Sequence, residues 1–188
     1  MSGDATRMVR RPRDDRVDRL FSEAGRIDPG DLPELQWQWL SAEWPVPDIP
    51  VPVDALRVVR PAVREILDAH RGPADDVQWL PASILDASGR RLEAWVLHLP
   101  THVDLLHEDA TTWGPSHSPI RYVYDSAKLS GHTMTVYSRP ARTLRRGGQV
   151  IHVSSRISSS PLVIAEAVAD ELRRANVTGA RLTPAPVV

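Results

Sequence analysis

Two tryptophan-bearing apolar runs stand on either side of a short polar break. Asp75-Asp76-Val77-Gln78-Trp79-Leu80-Pro81-Ala82 precedes Asp86-Ala87-Ser88-Gly89, and Leu92-Glu93-Ala94-Trp95-Val96-Leu97-His98-Leu99 follows it. Runs of this kind, bounded by Asp, Ser, Gly and Pro, predict the two antiparallel strands of a central hairpin. The rest of the chain is read around that pair.

Leu35-Gln36-Trp37-Gln38-Trp39 alternates apolar and amide side chains, which predicts a strand with Leu35, Trp37 and Trp39 on one core-facing side. The prolines at 45, 47, 50 and 52 exclude helix and central strand, leaving an extended edge or crossing segment. That same stretch also reads as a proline-rich ligand for an aromatic groove. Val59, Val63, Ile66 and Leu67 fall at helical spacing, with Pro61 in the first turn and Gly72-Pro73 beyond the end. Residues 120–124 and 132–137 read as strands joined by a loop, and Arg145-Arg146-Gly147-Gly148 reads as a turn into a strand at 149–153. Ser160 as N-cap and Pro161 at the first helical position would open a helix with Ile164, Val168, Leu172 and Ala175 in one stripe. Ala180-Arg181-Leu182 would then return to the sheet. The expected architecture is α+β: a single domain over residues 31–188, with an antiparallel-rich sheet and two main helices packed on one side. Residues 1–30 mix Arg7, Arg10, Arg11, Arg13, Arg16 and Arg19 with Asp4, Asp14, Asp15 and Asp18 and carry few apolar side chains, which predicts a charged, flexible arm or a frayed helix at 14–24.

A chain of 188 residues suffices for one core that buries roughly 70% of the unfolded surface. With 23 Lys plus Arg against 24 Asp plus Glu, the net charge of −1 provides no global field for nucleic acid or anionic lipid. The absence of cysteine excludes disulfide scaffolds, thiolate metal sites and cysteine nucleophiles. No apolar signal core opens the sequence and no run approaches the length of a spanning helix, so the expected location is the cytoplasm, with neither nucleic acid nor membrane as partner.

The side chains best suited to a metal are His98, His102, Asp104, His107, Glu108 and Asp109, but Pro100 interrupts the run and no single regular element places three of them on one face. They are expected to be partly exposed histidines and a solvated acidic loop. No serine sits in a Gly-x-Ser-x-Gly elbow, and Ser126 with Lys128 is one residue short of Ser-x-x-Lys. Gly147-Gly148 lacks the Lys-Ser or Lys-Thr of a phosphate loop. Arg142, Arg145 and Arg146 form one compact basic patch, expected on a surface loop. The residues therefore predict no catalysis, no cofactor and no metal.

An ordered series of segments carries the argument further: the Val-led helix at 53–70, then Val77-Gln78-Trp79-Leu80-Pro81-Ala82, a strand ending in Val103-Asp104, a variable loop, further strands, Val153-Ser154, and a closing Asn176-Val177-Thr178-Gly179-Ala180-Arg181-Leu182-Thr183-Pro184. Over residues 50–188 this series resembles the eleventh immunity-protein family of bacterial polymorphic toxin systems. The resemblance implies a protein without chemistry of its own that binds and neutralises a cognate toxin. The candidate partner-binding residues are His107, Glu108, Asp109 and Trp113, an acidic loop beside an aromatic anchor. A regulatory or assembly module, or a His/Asp metal-dependent enzyme, is the alternative.

Overall fold

A five-stranded sheet is built from β1 (Met8–Arg10), β2 (Leu35–Trp39), β3 (Arg57–Val59), β4 (Gln78–Leu85) and β5 (Arg91–His98), in the order β1-β2-β4-β5-β3. The computed structural model describes residues 8–10, 15–22, 25–50, 56–101, 103–114, 119–136, 142–146, 149–153 and 161–188. The central hairpin forms as expected, in unbroken register from Gln78 opposite His98 to Leu85 opposite Arg91. Its turn is organised by Asp86, whose carboxylate accepts from the Ser88 and Arg90 backbone N–H groups, both at 2.9 Å, and from the Ser88 hydroxyl at 2.6 Å. Gly89 takes a φ of 83°, the left-handed region that glycine enters without strain. Pro81 is tolerated inside this central strand because β2 begins opposite Ala82, so no β2 residue is paired with Pro81.

The sheet is mixed. β1 with β2, β4 with β5 and β3 with β5 pair antiparallel, but β2 runs parallel to β4. A parallel neighbour needs a crossover, and the chain between them supplies one that carries β3 to the far edge and contains α2 (Pro61–Ala69). Alternation along the strands then separates two apolar clusters. Trp37, Val58, Leu80, Ile84, Ala94 and Val96 face one way, and Val59, Leu97 and Trp95 the other.

The first face is covered by described pieces of the 1–30 segment, for which a helix at 14–24 is one of the two expectations. β1 extends the sheet, and α1 (Asp15–Ser22) buries Val17 and Phe21 against it together with Met8. Val17 and Phe21 are four residues apart and share a helix face; three apolar side chains among many charges suffice because the sheet supplies the other half of the core. The second face is covered by α2 through Val63 and Leu67, with α4 (Glu166–Arg174) packed beside it through Val168 and Leu172. Helices therefore lie on both sides of the sheet instead of one. Between α2 and the sheet, the Arg64 guanidinium lies 3.8 Å from the Trp95 ring centre and 5.8 Å from that of Trp79. Contacts of this kind contribute about 0.5–1 kcal/mol at exposed sites, less than the burial of the Leu67 and Val63 side chains beside them.

Beyond β5, three pairs form outside the central sheet among the described residues: β6 (Thr112–Trp113) with β7 (Pro119–Arg121), β8 (Met134–Val136) with β11 (Leu162–Ile164), and β9 (Arg142–Arg146) with β10 (Gln149–Val153). Arg142, Arg145 and Arg146 thus belong to a strand, not a surface loop; the Gly147-Gly148 turn lies outside the described residues. A four-residue helix, α3 (Ser126–Leu129), occupies the loop expected between strands, capped by the Asp125 carboxylate. Pro161 leads into β11 instead of opening the helix, which starts at Glu166; Ser160 lies outside the described residues. Residues 180–182 form no strand, and the return contact comes later, where Val187 bridges Tyr124.

Candidate functional site

Residues 107–113 bring the predicted partner-binding side chains together. The His107 backbone N–H donates to Val123 O at 2.9 Å, and Thr111 N–H donates back to His107 O at 3.0 Å, closing a tight turn over Glu108 and Asp109. Thr111 is buried beneath it and its hydroxyl donates to Val123 O at 3.1 Å. His107 is half-buried, and its Nδ1 accepts from Ala110 N–H at 3.3 Å, so this ring belongs to the turn's own framework. Trp113 on β6 donates its indole N–H to Glu108 O at 2.8 Å while its ring packs on Leu105, Leu106 and Tyr124. The Glu108 and Asp109 side chains are exposed. In the underlying cluster, Tyr122 and Tyr124 stack with ring centres 6.3 Å apart. Burial, with Tyr122 beside it, pushes the Tyr124 hydroxyl up to about 12. Lys128 donates to Leu106 O at 2.7 Å, which assigns it to this scaffold and not to a Ser-x-Lys pair with the exposed Ser126.

The remaining members of the histidine and carboxylate series do not join this turn. His98 lies on β5 on the α1 side of the sheet, where its Nε2–H donates to Gly25 O at 2.9 Å and its ring meets Phe21 edge-on at 5.5 Å. Burial there lowers its pKa, the Gly25 carbonyl opposing that shift. Asp104 is half-buried, and His102 lies outside the described residues. Among the described residues no three His, Asp or Glu side chains converge as metal ligands.

A denser polar cluster, not singled out from the sequence, surrounds Asp75. Its carboxylate accepts from Gly72 N–H at 2.7 Å, from the Thr133 hydroxyl at 2.6 Å, from Thr133 N–H at 3.1 Å, from Met134 N–H at 3.2 Å and from His132 Nδ1–H at 3.2 Å. Burial alone would raise the Asp75 pKa; the Thr133 hydroxyl and the three backbone donors outweigh it, and the net shift is downward. A carboxylate so saturated is a weak base and a poor nucleophile, so the cluster fastens the loop after α2 to the start of β8. Gly72 is required there, since a Cβ would stand 2.5 Å from Gly131 O.

Neither the chain's family nor a relative emerges from comparison: no protein-family model and no curated protein matches it. The local chemistry must therefore be read without a relative. A cleft of about 380 Å³ beside Pro81 has Glu34 and Arg91 as its charged lining residues, and these are ion-paired with each other. It presents no nucleophile and no histidine. No helix among the described residues is long and apolar enough to cross a membrane. The 107–111 turn presents the Glu108 and Asp109 side chains at the surface.

Proposed function

We propose that this chain is a non-catalytic binding protein of the bacterial cytoplasm that captures and neutralises a cognate protein toxin, the role implied by its resemblance to the eleventh immunity family. The observation that carries the reading is the turn at 107–111, whose backbone is held by Val123 and Thr111 from below and by the Trp113 indole from the side. A turn fixed before contact loses little conformational freedom on binding, so more of the attraction between its carboxylates and a basic site appears as affinity. Opposite charge also steers encounter and raises the association rate. Trp113 acts mainly by holding the turn, with its half-exposed ring available as an anchor. Nucleic acid is not assigned as a partner, since two exposed carboxylates repel phosphate.

The test is to express the product of the adjacent gene in a bacterial host with and without this chain. Growth arrest relieved by the chain, with both proteins recovered as one stoichiometric complex, is the expected result. The E108A/D109A double variant should remain folded and associate roughly tenfold more slowly. Arrest that the chain does not relieve would overturn the proposal.

A further inference from the structure

A groove of about 420 Å³ opens where the C-terminal ends of β2 and β4 meet the 86–90 turn. Part of its lining is apolar: Trp39 of β2, with Trp44, Pro45 and Val46 from the proline-bearing segment that the sequence offered as a ligand for such a groove. This wall is built, since the Trp39 indole N–H donates to Trp44 O at 2.8 Å and Trp44 N–H donates to Ser41 Oγ at 3.2 Å. Two arginines also line it. Arg90 is matched by Asp86, with Nε 3.1 Å from the carboxylate. Arg60, immediately before α2, differs: its Nε is enclosed without an acceptor, and no carboxylate among the described residues pairs with it.

Because that Nε is closed off from solvent, a partner reaches Arg60 in this groove only through its terminal guanidinium nitrogens, beside the aromatic wall. We propose that the groove docks an extended acidic segment of a protein partner, with a carboxylate on Arg60 and a neighbouring apolar side chain against Trp44. Charge complementarity selects the acid, and the planar guanidinium reads a carboxylate through paired hydrogen bonds. The extent of the apolar surface selects a polypeptide over a compact ligand. Trp44 is 57% exposed and Leu40, four residues before it, 56% exposed, so apolar surface continues past the groove itself. Arginine and tryptophan are also the side chains on which protein interfaces most often depend. This proposal uses none of the residues of the 107–113 turn and stands apart from the toxin reading.

The probe is a phage-displayed library of random twelve-residue peptides panned against the intact chain, with the selected peptides then titrated by fluorescence anisotropy. The expected motif places Asp or Glu beside an aromatic or aliphatic residue. R60Q should weaken the selected peptide at least tenfold, R60K less, and W44A by a similar factor to R60Q, while E108A/D109A leaves it unchanged. Because Trp44 is exposed, W44A reports on docking without disturbing the core. No enrichment over the uncoated support, a motif without a carboxylate, or affinity unchanged in both R60Q and W44A would overturn the proposal.

Discussion

Asp75 sits between α2 and β4 and takes its donors from Gly72 and from a strand start 58 residues further along the chain. Each hydrogen bond to a charged group contributes about 1.5–3 kcal/mol, and an orphaned buried donor costs about 1–3 kcal/mol. Asp75→Asn keeps one acceptor oxygen and turns the other position into a donor facing N–H groups, so it should lower stability by about 2–4 kcal/mol at pH 7. Urea denaturation with unchanged slope would measure that loss. Asp75 titrates lower in the folded protein than its ordinary 3.8, so the unfolded chain takes up its proton first as pH falls. The stability due to Asp75 is therefore complete above about pH 4 and fades as pH drops through the lower folded value. The difference between wild type and D75N should narrow over that interval, and a difference independent of pH would refute the assignment.

The docking of α1, carried by Val17 and Phe21, is joined by a polar contact from the sheet. His98 reaches from β5 to the carbonyl of Gly25, just after α1, and also touches Phe21 on the helix. Burial holds its pKa below the ordinary 6.5, so the unfolded chain binds the proton first here too, but at higher pH. Stability is unaffected above about pH 6.5 and declines as pH falls from there towards the folded value. H98Q, which retains a donor to Gly25 O, should remove that part of the decline. Comparing urea midpoints at pH 7.5 and 5.5, wild type should lose more than H98Q; equal losses would show that His98 does not hold the helix. The elements most legible in the sequence were those with a local signature. Leu35, Trp37 and Trp39 alternate, Asp86 and Gly89 define a turn, and Pro61 opens α2. Those misread depended on distant partners. Pro161 looks like a helix start until β8 pairs with the residues after it, and α1 looks fully solvated until the sheet receives Val17 and Phe21. The parallel register of β2 on β4 leaves no mark in either strand's own pattern.

At the scale of the whole molecule, the chain is a mixed sheet with helices on both faces and a separate small cluster that supports the 107–113 turn. The acidic composition of that turn was visible in the sequence, as was Trp113. What makes it a firm platform was not, because the indole bond to Glu108 O and the buried Thr111 depend on β7 and Val123 being brought beneath it. The Arg60 groove was hidden for the same reason, its lining coming from two strands, a turn and the lead-in to a helix. On the proposed function, the turn recognises a toxin without performing chemistry. The most direct test is calorimetric titration of the purified chain with the purified product of the adjacent gene. The expected result is a one-to-one complex in the nanomolar range or tighter, weakened at least tenfold by E108A/D109A. Absence of binding, or a complex indifferent to both carboxylates, would contradict it.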